Sequence, residues 1–158
     1  MSAPWHLIEE KLEDAFQSAL FTEYGGTVSG NLISGGDFDG FYIYKGMSLA
    51  ELNLPRLEIM ATSSEPSEPE IETPTGNQDV MLTVSVHGHK NEATRAGHSA
   101  YAAKLKDFCY ASNLTALLNA EAVTDLTVFR TFPQRTERRV DEDHLTTETQ
   151  LKIKAMPS

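Results

Sequence analysis

Histidines and carboxylates are the side chains through which this chain would most readily do chemistry, and they come in two close groups. His87 and His89 are two apart in an alternating stretch, with His98 a little further on. That spacing brings two imidazoles to one side of a strand, as a zinc site needs. The second group is the run Asp141-Glu142-Asp143-His144. Consecutive residues of an extended chain point to alternate sides, so this run does not converge on one ion. No second cysteine or tight carboxylate cluster completes a tetrahedron around the histidines. Solvent-facing strand-end histidines and a charged turn are the simpler readings, and no metal is expected.

Other motifs resolve the same way. SGGDFDG, residues 34–40, places Asp37 and Asp39 around a bend but lacks the third oxygen ligand and the downstream glutamate of a calcium loop. The paired glycines are not followed by GK[ST] or set in GxGxxG, so no nucleotide site is indicated. There is no GxSxG elbow, and Cys109, the single cysteine, lies on the apolar side of a helical pattern. No catalytic residue and no cofactor is expected. The basic concentration is Arg130, Arg135, Arg138 and Arg139, suited to a phosphate or an acidic neighbour. Its counterpart is the stretch SSEPSEPEIETPTGNQ, with Glu65, Glu68, Glu70 and Glu72. Contact between these unlike surfaces on successive copies would close a ring. Arg135, Arg138, Arg139, Glu65, Glu68 and Glu70 are therefore the candidate subunit-interface or channel residues, against the simpler reading of a solvated hairpin end.

These residues are positioned by elements that the hydropathy pattern marks out. In DVMLTVSVHGH, Val80, Leu82, Val84 and Val86 alternate with Met81, Thr83, Ser85 and His87, the period of a strand with one buried face. A helix follows, with Ala96, Ala100, Ala103, Leu105, Phe108 and Cys109 at helical spacing, and it breaks at 111–113 before a short helix carrying Leu114, Leu117 and Leu118. Upstream, Pro4 suits a first helical turn, and Trp5, Ile8, Leu12, Ala15, Phe16 and Ala19 form a stripe, with Glu9, Glu10, Glu13 and Asp14 facing elsewhere. Gly25-Gly26 stops that helix. Residues 25–46 read as a hairpin with a flexible tip, and Arg56–Ala61 as a strand. The Pro/Glu-rich residues 62–78 read as an exposed loop, either a disordered excursion or an arm ordered only against a neighbouring copy. Ala122–Phe132 and Leu145–Ala155 read as closing strands joined by a charged hairpin end.

The chain has 158 residues, 40% of them hydrophobic, which suits one domain with a single core. The expected fold is α+β: a single domain with a mostly antiparallel sheet of about four strands packed against an N-terminal and a central helix, with an extra hairpin and a long loop. The formal net charge of −10 argues against broad binding of nucleic-acid phosphates. No basic leader or sustained apolar run is present, so a soluble protein without membrane contact is expected, made in a reducing cytoplasm.

The order of these elements, with LPRLEIMATSSEPSEPE, DVMLTVSV, AGHSAYAAKLKDFCY and HLTTETQLKIKA, resembles the tail terminator or tail-completion proteins of long-tailed bacteriophages over Pro4 to Ala155. The resemblance implies a structural virion protein without a cofactor. It would form a ring, usually a hexamer, that caps the head-proximal end of the tail tube, stops its polymerisation and joins the neck. The implied partners are copies of itself, the tube protein, a neck or head-completion protein, and genome DNA passing through the channel without sequence-specific binding. The 25–46 hairpin is extra relative to the simplest members. The alternatives are a neck or head-completion connector and a metal-dependent hydrolase using His87, His89 and residues 141–144.

Overall fold

A computed structural model of the chain describes residues 5–46, 54–63, 78–89, 92–121, 126–140 and 144–157. In chain order these form α1 (Trp5–Tyr24), β1 (Thr27–Ser29), β2 (Leu32–Ser34), β3 (Tyr42–Lys45), β4 (Arg56–Ser63), β5 (Gln78–His89), α2 (Glu92–Cys109), α3 (Leu114–Glu121), β6 (Leu126–Val140) and β7 (His144–Pro157). The strands make one sheet in the order β1-β2-β3-β4-β5-β7-β6. Every pairing is antiparallel except β3 with β4. The α+β class is as expected, but the sheet has seven strands where about four were expected.

Two features account for the difference. The Gly-rich stretch contributes three short strands instead of one hairpin: Gly30, with φ of 62°, turns β1 into β2, and β3 runs parallel to β4 with Tyr42 beside Arg56. Residues 133–140, expected as a charged hairpin end, continue β6. Their backbone pairs with β7 up to Val140 opposite Leu145. The ladder tolerates Pro133 because β6 is an edge strand, where a missing N–H on the outer side breaks no pairing. Register shifts at 128–130 and 133–135 absorb the extra residues Phe129 and Gln134.

One face of the sheet carries the core. Val80, Leu82, Val84 and Val86 of β5, Leu57, Ile59 and Ala61 of β4, and Leu151, Ile153 and Ala155 of β7 are all buried beneath the helices. From α1 come Ile8, Leu12, Ala15, Phe16, Ala19 and Leu20. The helix ends where expected: Gly25 takes φ of 79° and its N–H reaches the Phe21 carbonyl at 2.8 Å. Glu13 departs from expectation. It is buried, because α1 turns it toward the sheet.

The small-residue face of α2 also differs. Ala100 and Ala103 are exposed, while His98, Ala102, Leu105, Phe108 and Cys109 are buried, with Tyr101 half-buried beside them. That stripe keeps the three- and four-residue spacing of a helix face but is entered by a histidine.

The 34–40 loop is anchored, which corrects its reading as a flexible tip. Phe38 is fully buried and meets Tyr24 and Phe41 edge-on, with ring centroids 5.6 and 5.8 Å away. Asp39 accepts the Gly35 N–H at 2.6 Å, and Asp37 pairs with Lys104 of α2 at 3.3 Å. The two aspartates thus serve separate partners.

Candidate functional site

All three helices lie on the core face, so no described helix covers the opposite face of the sheet, its open face. Strand alternation and the pairing register decide which side chains it shows. They include Tyr42 and Tyr44 of β3; Arg56, Glu58 and Met60 of β4; Met81, Thr83, Ser85 and His87 of β5; Thr146, Glu148, Gln150, Lys152 and Lys154 of β7; and Arg130, Phe132, Arg135, Glu137 and Arg139 of β6.

At one end of this face a polar cluster surrounds His87. Its Nε2 lies 2.6 Å from Glu58 Oε2, and Arg56 Nε donates to the same carboxylate oxygen at 3.0 Å. Ser85 Oγ is 3.0 Å from His87 Nε2, while Thr146 Oγ1 is 3.1 Å from Nδ1. The hydrogen bond from His87, together with the charges of His87 and Arg56, overcomes the opposing effect of burial and pulls the Glu58 carboxyl down to about 2. A nucleophilic relay needs serine and carboxylate on opposite nitrogens of the imidazole. Here Ser85 and Glu58 both address Nε2, and a nitrogen that donates to Glu58 has no lone pair left to take the serine proton. The cluster instead ties β4, β5 and β7 together.

His98 does not join it. It packs from α2 against the core face, over Gly88, where a Cβ would stand 3.2 Å from its Nδ1. Its Nε2 meets Thr147 Oγ1 at 3.0 Å. His87 and His98 are thus separated by the sheet itself, and the imagined site combining them does not form. Burial first, then the charges of Arg138 and His87, hold the His98 pKa below its usual value. Among the described residues no group of three or more histidine, cysteine, aspartate or glutamate side chains converges as a metal site. Residues 141–143 lie outside the described residues.

The expected interface arginines fall on β6 but divide between faces. Arg135 and Arg139 stand on the open face and pair with Glu137 at 3.3 Å and Glu148 at 2.8 Å. Arg138 is on the helix side and donates to Ser99 Oγ of α2 at 3.1 Å. Glu65, Glu68 and Glu70 lie outside the described residues, as does most of 62–78; Thr62 and Ser63 complete β4 and Gln78 opens β5. Sequence reasoning missed Lys152 and Lys154. Their signal was present in LKIKA, where two lysines alternate with buried Leu151, Ile153 and Ala155.

A cleft lies at the far end of β4, between it and α1. This cleft of about 490 Å³ is lined by Glu9, Glu10, Glu13, Asp14, Lys45, Gly46 and residues 60–62. It opens where β3 stops: Gly46 N–H donates to the Ile59 carbonyl at 2.9 Å, and the next outward-facing amide of β4, that of Ala61, donates to Glu13 Oε2 at 2.8 Å. Burial, only partly offset by that bond, raises the Glu13 pKa. Lys45 pairs with Asp14 across the mouth.

Compared with known proteins, the sequence matches no family model and no curated protein.

Proposed function

We propose that this chain is a structural subunit that meets copies of itself around an open hole, and that the ring it forms caps the tail tube of a long-tailed bacteriophage, as the resemblance to tail terminators implies. On this reading the ring is a hexamer at the head-proximal end of the tail. It stops tube polymerisation, offers the surface that joins the neck, and lets DNA through its channel.

The observation that carries the reading is β6. It is a 15-residue strand at the edge of the sheet, with one neighbour, β7, among the described residues. Phe129, Phe132 and Val140 on it are exposed. A long bare edge is a template for association, and unmanaged it leads to open-ended aggregation. Here register shifts, Pro133 and arginines restrict strand addition, so an association at this edge would run through its exposed side chains and not through an extended ladder. A face made of charged and hydroxyl side chains beside that edge suits a wet, specific subunit contact better than a core.

The test is the mass of the purified chain in solution together with negative-stain images, alone and mixed with tail tubes. A ring that binds one tube end and halts elongation is the expected result. A ring that ignores tubes but binds a head-completion protein would move the assignment to the neck. A monomer at high concentration, even with tubes present, would overturn the reading.

A further inference from the structure

We propose that the open face of β6 and β7 around Arg130, Phe132, Lys152 and Lys154 is the surface by which one copy docks on the acidic side of α1 in the next copy. This rests on the self-association proposed above and names its two surfaces.

The patch is electrostatically odd within its own chain. The register sets Arg130 directly opposite Lys154 and Phe132 opposite Lys152. Like charges facing one another across an antiparallel pair are destabilising. The Arg130 guanidinium lies over the Phe132 ring, 5.7 Å from its centroid, and that ring is 37% exposed. Lys152 reaches Asp79 at 3.7 Å, but among the described residues Arg130 and Lys154 form no ion pair. The arginines further along β6 behave otherwise, since Arg135 and Arg139 each have a carboxylate within the copy. Among the described residues of this patch, the cations left for a partner are therefore Arg130 and Lys154. Beside them is a flat ring of the kind enriched at the centres of protein interfaces.

The partner surface is identified by its charge. On the side of α1 beside the cleft, Glu10 and Asp14 are exposed and, of the residues lining the cleft, only Lys45, paired with Asp14, offsets them, while Glu13 is turned inward onto the Ala61 N–H. The two surfaces cannot meet within one copy. The cleft is on the helix side at β4, and the patch is on the open side at β6, three strand positions away, or roughly 14 Å across the sheet. Contact between unlike surfaces on opposite faces is head-to-tail, and it closes into a ring when the rotation between copies allows. Net charge does not choose between occupants, because another copy at −10 is repelled at a distance as a polyanion is; the choice rests on local complementarity between this cationic patch and the exposed carboxylates of α1.

Charge exchange tests this. The variant Arg130→Glu/Lys154→Glu and the variant Glu10→Lys/Asp14→Lys should each lose at least tenfold in self-association by sedimentation velocity while keeping the wild-type circular dichroism spectrum. Mixed at equal concentration they should associate again, because each altered surface then faces its complement. Wild-type assembly of either variant would overturn the docking. So would failure of the mixture while the unaltered chain still forms rings, an outcome that leaves the ring reading standing. A monomeric unaltered chain would remove both. A fluorescent single-stranded oligonucleotide is the control. If it binds the unaltered chain, and Arg130→Glu/Lys154→Glu abolishes that binding without changing oligomer mass, the patch is a nucleic-acid surface and the docking is wrong.

Discussion

Glu13 accepts the Ala61 backbone N–H at 2.8 Å at the point where β3 has ended and β4 has lost its outer neighbour. At the far edge of the sheet Asn119 of α3 does the same for β6, taking the Val128 N–H and giving its own amide hydrogen to the Val128 carbonyl, both at 2.8 Å. Helix side chains thus stand in for missing strands at both margins. This satisfies backbone groups that burial would otherwise leave unpaired.

Replacing Glu13 with alanine strips Ala61 of its acceptor in a buried setting, which should cost about 1–3 kcal/mol by urea denaturation at neutral pH. Glu13→Gln keeps an acceptor oxygen and should cost less. The pH dependence separates the two effects. A carboxyl whose folded pKa is raised contributes its full stability below the unfolded value of 4.5 and loses it as pH rises through the folded value. The glutamine variant should lack that decline, and a wild-type slope in it would show that Glu13 is not its source.

Glu58 has the opposite sign. Its pKa falls from 4.5 to about 2, so its contribution is present above 4.5 and disappears as pH drops toward 2. Glu58→Gln should therefore be less stable than the parent at pH 7 by up to roughly 3 kcal/mol. The gap should close during acid titration followed by circular dichroism. A gap that persists at pH 2 would mean that the loss comes from packing around Arg56 and His87 instead of from charge.

Much of this architecture is legible in the sequence because burial is one-sided. β5 alternates cleanly, its valines under the helices and its polar residues on the open face, and α1 repeats its apolar residues every three or four positions. β6 hides for the reason that makes it interesting. Over residues 134–140 no described element covers its open face or outer rim, so these residues have no apolar rhythm, and pairing to β7 with a few side-chain bonds holds them extended. Strands of three or four residues such as β1, β2 and β3 are too short to show a period at all. In α2 the alanines misled, since alanine favours a helix wherever it points. The His87 cluster could not be seen because Glu58, Ser85 and Thr146 come together only through the register of three strands.

Gly36 lies against the chain at the end of α1. A Cβ there would stand 2.4 Å from the Gly25 backbone, and its φ of 70° is one that side chains rarely adopt. Gly36→Ala should cost at least about 2 kcal/mol, combining left-handed strain with a clash against main chain. Gly30 has a similar φ but open space around it, and Gly30→Asn should cost well under about 1 kcal/mol because asparagine tolerates that conformation. Equal losses at both positions would show that backbone strain, and not the contact between the two glycine pairs, sets the cost.

His98 provides the clearest acid-sensitive contact between α2 and the sheet. Its Nδ1 is buried without a hydrogen-bond partner among the described residues, Arg138 lies on the neighbouring strand, and its pKa is held below 6.5. The unfolded chain takes up a proton at this histidine before the folded chain does, so stability should fall as pH drops below 6.5 toward the folded value. His98→Leu removes the titrating group and keeps an apolar body over Gly88. Thermal melts from pH 7.5 to 5 should show a shallower fall in midpoint for that variant than for the parent. Arg138→Gln, which removes one charge acting on the ring, should lie between them. Parallel slopes in all three proteins would exclude His98 as the group that loosens α2 in acid.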